Sequence, residues 1–169
     1  MISKKMEQLI NDQYHREVFS AHLYFSMCSY FLDQDLDGFA NFFKIQAEEE
    51  LLHAQKQFDY VHQVDGKITM GPIDAPETDF QSILAVFEST LKHEQYITQN
   101  INQIVKAALE ESDFATHNFF QWFVAEQVEE EALMRTYIAK LRLADGNKST
   151  LYLLNEELMS RKMEAGTEA

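Results

Sequence analysis

The chain has 169 residues, of which 46% are hydrophobic and 12% aromatic, a composition that suits one folded domain with a sizeable core and excludes a disordered chain. Its formal net charge is -14, from 28 acidic and 14 basic residues. Such a charge speaks against nucleic acid as a partner and favours cations. Because acidic residues also keep proteins soluble, their total alone does not identify a binding site.

Cys28 is the single cysteine, so it cannot form an intramolecular disulfide, and no Cys-x-x-Cys pair is present. We therefore expect a reducing, cytoplasmic location and neither a rubredoxin-type nor a zinc centre. The first ten residues lack an apolar signal core, and no run of about 18 apolar residues occurs. These features predict a soluble protein without a membrane partner.

Apolar residues recur at helical spacing in five segments, which predicts an all-α fold in one domain spanning 1–169. The predicted helices cover about 3–32, 37–64, 82–109, 113–142 and 150–163. A possible capping box at Thr78 precedes the third helix. The short fifth helix has an apolar stripe that another surface must cover, and its members are Leu151, Leu154, Leu158 and Met159. The tail to Ala169 is expected to fray.

The connection 65–81 between the second and third helices is long for a compact domain. At about 3.3 Å per residue it can reach roughly 55 Å, whereas the second helix is roughly 42 Å long. It can therefore cross the whole bundle and make these two helices parallel. The sequence thus predicts a four-helix bundle with one long crossover and a short fifth helix.

Carboxylates interrupt the apolar stripes of the long helices. Glu50 and His53 lie one turn apart on the second helix and could offer an oxygen and a nitrogen to one ion. Such a pair alone is more often a surface feature. However, Glu17, Glu94 and Glu130 occupy the corresponding core positions of the first, third and fourth helices.

These four carboxylates lie within about three residues of their helix midpoints, which places them in one layer of the bundle. Converging acids in an apolar interior repel each other unless positive charge of about four units, such as two divalent metal ions, balances them. Several carboxylates with a single imidazole suit iron better than zinc. The alternative is that these acids are half-exposed charges on irregular stripes, which four agreeing helices disfavour.

The pattern resembles the ferritin-like di-iron family, and within it the bacterial type of non-haem ferritin. The resemblance covers essentially the whole chain. It rests on Glu17 with Tyr24, and on the motifs at 48–53, 93–95 and 119–131. It implies a hollow shell of 24 identical subunits with the fifth helix packed near the four-fold axis.

The resemblance also implies roles for individual residues. Glu17, Glu50 and His53 would hold one iron, while Glu50, Glu94 and Glu130 would hold the second, with Glu50 bridging. Two further residues would position the ligands or donate to bound oxygen, namely Tyr24 and Gln127. A third iron site is implied, formed by Glu49, Glu126, Glu129 and Glu130. The expected activity is ferroxidation, in which Fe(II) is oxidised by O2 or peroxide and stored as ferric oxyhydroxide mineral.

Two departures from haem-bearing bacterioferritins predict that haem is absent. Those proteins carry a second Glu-x-x-His on the fourth helix and a Met after the ligand Glu of the second, where this chain has Leu133 and Leu51. The alternative function is a non-storage di-iron oxidase or peroxidase of the rubrerythrin type. The missing Cys-x-x-Cys module and the single Glu-x-x-His weigh against it. A catalytically silent scaffold is disfavoured by the complete set of ligands.

Two aromatic residues near the predicted site keep alternative interpretations. Tyr24 could donate an electron during oxidation or could be a core tyrosine with a satisfied hydroxyl group. Trp122 stands next to the site in sequence, and packing is its favoured role.

Overall fold

A computed structural model describes residues 2–163, so the expected frayed tail lies outside the described residues. This part of the chain contains five α-helices and no strand, which confirms the predicted all-α class. The helices are α1 (Lys4–Leu32), α2 (Asp37–Gln63), α3 (Ile83–Glu110), α4 (Phe114–Ala144) and α5 (Lys148–Met159). Over the same residues, none of these helices is long and apolar enough to cross a membrane.

Side-chain caps begin four of the helices. Each cap accepts a hydrogen bond from the backbone amide three residues on, and the caps are Ser3, Ser82, Asp113 and Asn147. The capping box predicted at Thr78 was wrong, because Ser82 takes that role and Thr78 lies in the preceding loop.

Contacts near the helix ends establish the topology. The backbone amide of Ile2 donates to the carbonyl of Val64 at 3.1 Å, so the start of α1 lies beside the end of α2. Lys5 Nζ lies 3.4 Å from Glu111 Oε1, which places the end of α3 there as well. Since α2 and α3 end on the same side of the bundle, they run parallel, and the predicted crossover is confirmed.

The crossover between α2 and α3 follows the surface of α1. The Asn11 side chain donates to the Lys67 carbonyl at 2.8 Å and accepts from the Thr69 amide at 2.7 Å. Further along α1, Ser26 Oγ donates to the Glu77 carbonyl at 2.6 Å. These side chains bond backbone groups of the loop, which has no helix or sheet to pair them.

Two apolar clusters fill the bundle and leave a polar layer between them. One cluster includes Phe31, Phe43 and Phe87, and the other includes Ile10 and Phe123. Each long helix contributes one part to the first cluster and another part to the second. The residues near its midpoint lie between these two parts. The polar layer therefore coincides with the depth at which the sequence places its core carboxylates.

Helix α5 packs against α2 through a close backbone contact. Asn155 Oδ1 accepts from the Gly38 amide at 2.9 Å, and a Cβ at residue 38 would overlap the Asn155 carbonyl oxygen. Leu154 and Leu158 are buried in the apolar cluster of the bundle, so the chain itself covers them. Met159, the other end of this predicted stripe, is 46% exposed in the single chain.

The fifth helix ends at Met159, four residues before the predicted end near 163. Asn41 of α2 explains this end, since its side-chain amide donates to the carbonyls of Leu158 at 3.0 Å and Arg161 at 3.2 Å. A side chain from another helix thus satisfies carbonyls that another helical turn would have bonded.

Candidate metal centre

Five predicted site residues meet in the polar layer at the middle of the bundle. Each has at most 5% of its surface exposed, and they are Glu17, Glu50, His53, Glu94 and Glu130. They come from all four long helices, as the depth argument predicted. They form two groups that differ in their hydrogen-bond partners. We call Glu17, Glu50 and His53 the open half, and Glu94 and Glu130 the bonded half.

The open half has the geometry of a metal site. Glu17, Glu50 and His53 each offer one ligand atom, and these atoms all lie within 4.8 Å of one another. Glu17 Oε1 accepts from Gln57 Nε2 at 2.7 Å and from Gln13 Nε2 at 3.0 Å, which holds the carboxylate in place. His53 Nδ1 lies 3.2 Å from Glu50 Oε2.

Unpaired polar atoms concentrate at the open half. Within residues 2–163, the buried side-chain atoms without a hydrogen-bond partner are Gln13 Oε1, Glu17 Oε2, His53 Nε2 and Gln57 Oε1. Burying such a group without a partner costs about 1–3 kcal/mol. A carboxylate oxygen and an imidazole nitrogen are also ligand types that Fe(II) accepts. The residues of the open half therefore fit a divalent iron ion.

Burial controls the protonation of the open half. Desolvation raises the pKa of Glu17, and it raises the pKa of Glu50 well above its usual value, with further increases from the charges of Glu94, Glu17 and Glu130. Desolvation, together with the charge of Lys56, lowers the pKa of His53 to about 4. At neutral pH the imidazole is therefore neutral and able to bind a metal ion, which would displace protons from the carboxyl groups.

Glu94 of the bonded half already has partners for both of its oxygens. The Tyr24 hydroxyl donates to Oε1, and Gln127 Nε2 lies 3.1 Å from Oε2. Burial raises the pKa of Glu94 to about 7, although these two hydrogen bonds act in the opposite direction. Burial is also the main reason why the pKa of Tyr24 is well above its usual value. Tyr24 and Gln127 therefore position Glu94.

Glu130 belongs to a second hydrogen-bond chain. Its Oε2 accepts from Gln46 Nε2 at 2.8 Å, and Gln46 Oε1 accepts from Arg161 Nη2 at 2.5 Å. The same Arg161 nitrogen lies 3.0 Å from Glu49 Oε2. Burial and the charge of Glu94 raise the pKa of Glu130 well above its usual value.

Sequence reasoning assigned no role to Arg161 or Gln46. Gln46 could have been noticed, because it is a polar residue on the core stripe one turn before Glu50. Arg161 had no such signal, since it follows the last helix and lies far along the chain from its partner Glu49.

The residues of the predicted third site are placed differently from one another. Glu49 and Glu130 are buried and both belong to the Arg161 network, whereas Glu126 is half-buried and Glu129 is exposed. Among the described residues, the compact group of potential ligands is the open half. The third site therefore stays a prediction.

Aromatic rings pack against His53. The ring of Trp122 meets it edge-on with a centroid separation of 5.4 Å, and Phe123 does so at 5.9 Å. Lys56 Nζ lies 4.7 Å from the centre of the Trp122 ring, a cation–π arrangement. These contacts support the packing role for Trp122, which limits the rotation of the imidazole.

The fold and this layer define a four-helix-bundle protein with a buried carboxylate–histidine cluster that could hold a metal ion. The family model for the ferritin-like domain matches residues 7–144. The chain therefore belongs to the ferritin family, and the resemblance noted from the sequence is confirmed.

Known relatives agree along nearly the whole chain. A bacterial non-heme ferritin of Campylobacter jejuni is 40% identical over 166 residues, which cover 96% of this chain and 99% of the relative. A bacterial non-heme ferritin of Staphylococcus aureus is 38% identical, covering 95% and 97%. Among solved structures, an open-pore ferritin of the archaeon Archaeoglobus fulgidus is 44% identical with a TM-score of 0.95, covering 96% of this chain and 100% of that one.

Proposed function

We propose that this protein is the subunit of an iron-storage ferritin with ferroxidase activity. Each subunit would bind two Fe(II) ions as substrate at the central layer, oxidise them with O2 and pass Fe(III) to a ferric oxyhydroxide mineral. The observation that carries this proposal is the compact, buried group formed by Glu17, Glu50 and His53. Its unpaired oxygen and nitrogen atoms support a cation as the bound species.

The first Fe(II) ion would bind to the open half, where the ligand atoms are already close together. The second would bind between Glu50, Glu94 and Glu130, with Glu50 shared by both ions. For this to happen, Glu94 and Glu130 must turn from their present hydrogen-bond partners toward the metal. Two divalent ions would then balance the negative charge of the four carboxylates.

The proposed oxidation balances without another reactant. Two Fe(II) ions each lose one electron, and O2 takes both electrons with two protons to give hydrogen peroxide. Carboxyl groups whose pKa is raised by burial would release protons as iron binds. The redox chemistry belongs to the iron, while the protein fixes the ligands and excludes water from the site.

Storage requires a compartment, and we propose a hollow homo-oligomer, with 24 subunits as the expected size, located in the cytoplasm. The bacterial non-heme ferritins of Campylobacter jejuni and Staphylococcus aureus support this assignment, because this chain matches nearly the whole length of each. Exposed apolar side chains on and near α5, such as Leu143 and Leu153, offer surfaces that a neighbouring subunit could bury.

An anaerobic Fe(II) titration of the iron-free protein, followed by rapid mixing with O2, tests the proposal. Light scattering on the same sample gives the particle mass. We expect two or three Fe(II) ions per subunit, fast oxidation, a mass near 24 subunits and retention of much additional iron. Fast oxidation in a small particle that retains no additional iron would instead favour a non-storage di-iron oxidase. Absence of Fe(II) binding would refute the metal centre.

A further inference from the structure

Two buried glutamine side chains hold the same oxygen of Glu17. Gln57 Nε2 donates to Glu17 Oε1 at 2.7 Å, and Gln13 Nε2 donates to the same oxygen at 3.0 Å. Both glutamines are fully buried, with 0% of their surface exposed. Gln13 lies one turn before Glu17 on α1, whereas Gln57 lies one turn after His53 on α2. The arrangement therefore depends on how α1 and α2 pack together.

The two oxygens of Glu17 are in different surroundings. Oε1 accepts from both amides, and a carboxylate oxygen has about two lone pairs with which to do so. Oε2 is buried and has no hydrogen-bond partner within residues 2–163. Glu17 belongs, with Glu50 and His53, to the compact group of potential ligands. It therefore has a single oxygen that is free to bind an ion.

The bonds to Glu17 account for the orientation of both glutamine amides. Among the described residues, Gln13 Oε1 and Gln57 Oε1 are buried without a hydrogen-bond partner. Turning either amide over would place its oxygen against Glu17 Oε1, where two acceptors repel each other. An apolar side chain of similar length could fill the same space without burying a free carbonyl oxygen. Packing alone therefore does not explain glutamine at these two positions.

We infer that Gln13 and Gln57, which we call the amide clamp, make Glu17 bind Fe(II) through Oε2 alone. This inference rests on the proposed function, because it requires an ion at the open half. A carboxylate that binds through one oxygen fills one coordination position, whereas binding through both oxygens fills two. The amide clamp therefore keeps a further position of the ion open, and an open position is where another reactant can bind.

The amide clamp also holds Glu17 in the form and direction that an ion requires. Hydrogen bonds from N–H donors favour the ionised form of a carboxylate, which is the form that binds a metal. Because Gln13 and Gln57 reach Glu17 from different helices, the carboxylate cannot rotate without breaking one of these bonds. Both glutamines are thus positioning residues that act on the ion through Glu17.

The test compares Gln57→Met with Gln55→Met in the assembled, iron-free protein. Methionine keeps an unbranched, flexible side chain but has no amide donor. Gln55 is the matched control, because its Nε2 donates to Asp59 Oδ1 at 2.9 Å on the exposed side of the same helix. Gln13→Met removes the other donor from a different helix, and it replaces the Gln57 variant if that one fails to assemble.

Co(II) is the probe, because its visible absorption becomes weaker as the number of its ligands increases. Each protein receives enough Co(II) to fill the first site only. We expect a weaker absorption band in Gln57→Met than in the unchanged protein, since the released Oε1 of Glu17 would bind the ion together with Oε2. Gln55→Met should match the unchanged protein. A purely structural role of Gln57 would lower the unfolding temperature without changing this band.

Crystal structures of the Co(II)-loaded proteins show directly which oxygens of Glu17 contact the ion. We expect Oε2 alone in the unchanged protein and in Gln55→Met, and both oxygens in Gln57→Met.

Two results would overturn the inference and leave the proposed function in place. One is a Co(II) absorption band that is the same in Gln57→Met, Gln13→Met and the unchanged protein. The other is contact of both Glu17 oxygens with the ion in the unchanged protein. If the unchanged protein binds neither Co(II) nor Fe(II), the metal centre itself is refuted, and the inference falls with it.

Discussion

The open and bonded halves of the centre contain the same kind of buried carboxylate, but their hydrogen-bond partners differ. In the open half, Glu17 keeps one oxygen without a partner and His53 keeps one nitrogen without a partner. In the bonded half, Glu94 accepts from Tyr24 and Gln127, and Glu130 accepts from Gln46. One half could therefore accept an ion without losing hydrogen bonds, whereas in the other an ion would have to replace hydrogen bonds.

This difference suggests an order of binding. A first ion would meet ligand atoms that already lie within 4.8 Å of one another. The proposed second ion would have to compete with the donors to Glu94 and Glu130, each of which stabilises the carboxylate by about 1.5–3 kcal/mol if it is ionised. We therefore expect stepwise rather than simultaneous loading, with Glu50 as the residue common to both steps.

The largest effect should come from Glu50→Gln, because this residue serves both halves. Outer partners of metal ligands typically contribute 10- to 100-fold, so loss of a shared ligand should slow the fast phase of iron oxidation by at least about 100-fold. Stopped-flow absorbance measures this rate. Removing one of four mutually repelling acids should also raise the unfolding temperature of the iron-free protein.

Glu48→Gln is the matched control, since Glu48 lies in the same helical turn but forms a solvent-exposed pair with Lys44 at 4.0 Å. It should leave both the oxidation rate and the unfolding temperature nearly unchanged. If Glu50→Gln oxidises Fe(II) as fast as the control, the two halves do not share this ligand.

A smaller effect is expected from Tyr24→Phe, which acts on the bonded half alone. Loss of the hydroxyl donor leaves Glu94 less well positioned, and the expected slowing of oxidation is about tenfold, at the low end of effects for such partners. Anaerobic titration should show an unchanged first Fe(II) event and an altered second one.

Tyr60→Phe controls for loss of a buried tyrosine hydroxyl, because Tyr60 bonds Thr116 at 2.7 Å within an apolar cluster away from the layer. Equal rates in the two variants would show that the Tyr24 hydroxyl has no specific role in the bonded half. A changed affinity for the first Fe(II) ion would show that the bonded half influences binding at the open half.

The smallest effect concerns the pH dependence of the iron-free protein. The pKa of Glu94 is raised from 4.5 to about 7 in the folded state, mainly by burial. Its contribution to the free energy of unfolding is therefore fully present below about pH 4.5 and is lost as pH rises through about 7. The stability of the unchanged protein relative to Glu94→Gln should fall across this window.

Denaturant unfolding at several pH values measures the difference between the two proteins. His53 is present in both proteins, so its contribution to stability cancels in the comparison. Because its pKa is lowered to about 4, that contribution rises with pH between about pH 4 and 6.5, opposite to that of Glu94. Bound Fe(II) should reduce this loss of stability in the unchanged protein, because its positive charge balances the ionised Glu94. A difference that is constant with pH would contradict the shifted pKa of Glu94.

Much of the architecture was predictable from local rules. Helical periodicity identified the five helices, and the length of the 65–81 connection indicated the crossover. The depth of Glu17, Glu50, Glu94 and Glu130 followed from their positions relative to the helix midpoints. The early end of α5 was missed, since it depends on Asn41 of another helix, which periodicity within α5 does not reveal.

By itself, the sequence determined which acids face the interior and that they share one layer, because rise per residue and turn angle are nearly constant in any α-helix. Only the tertiary structure decided which carboxylate oxygens are hydrogen-bonded and which one is left without a partner. Those choices depend on side chains from different helices, such as Tyr24 at Glu94 and Gln57 at Glu17. Arg161 is the clearest case, since chain packing alone brings it to Glu49.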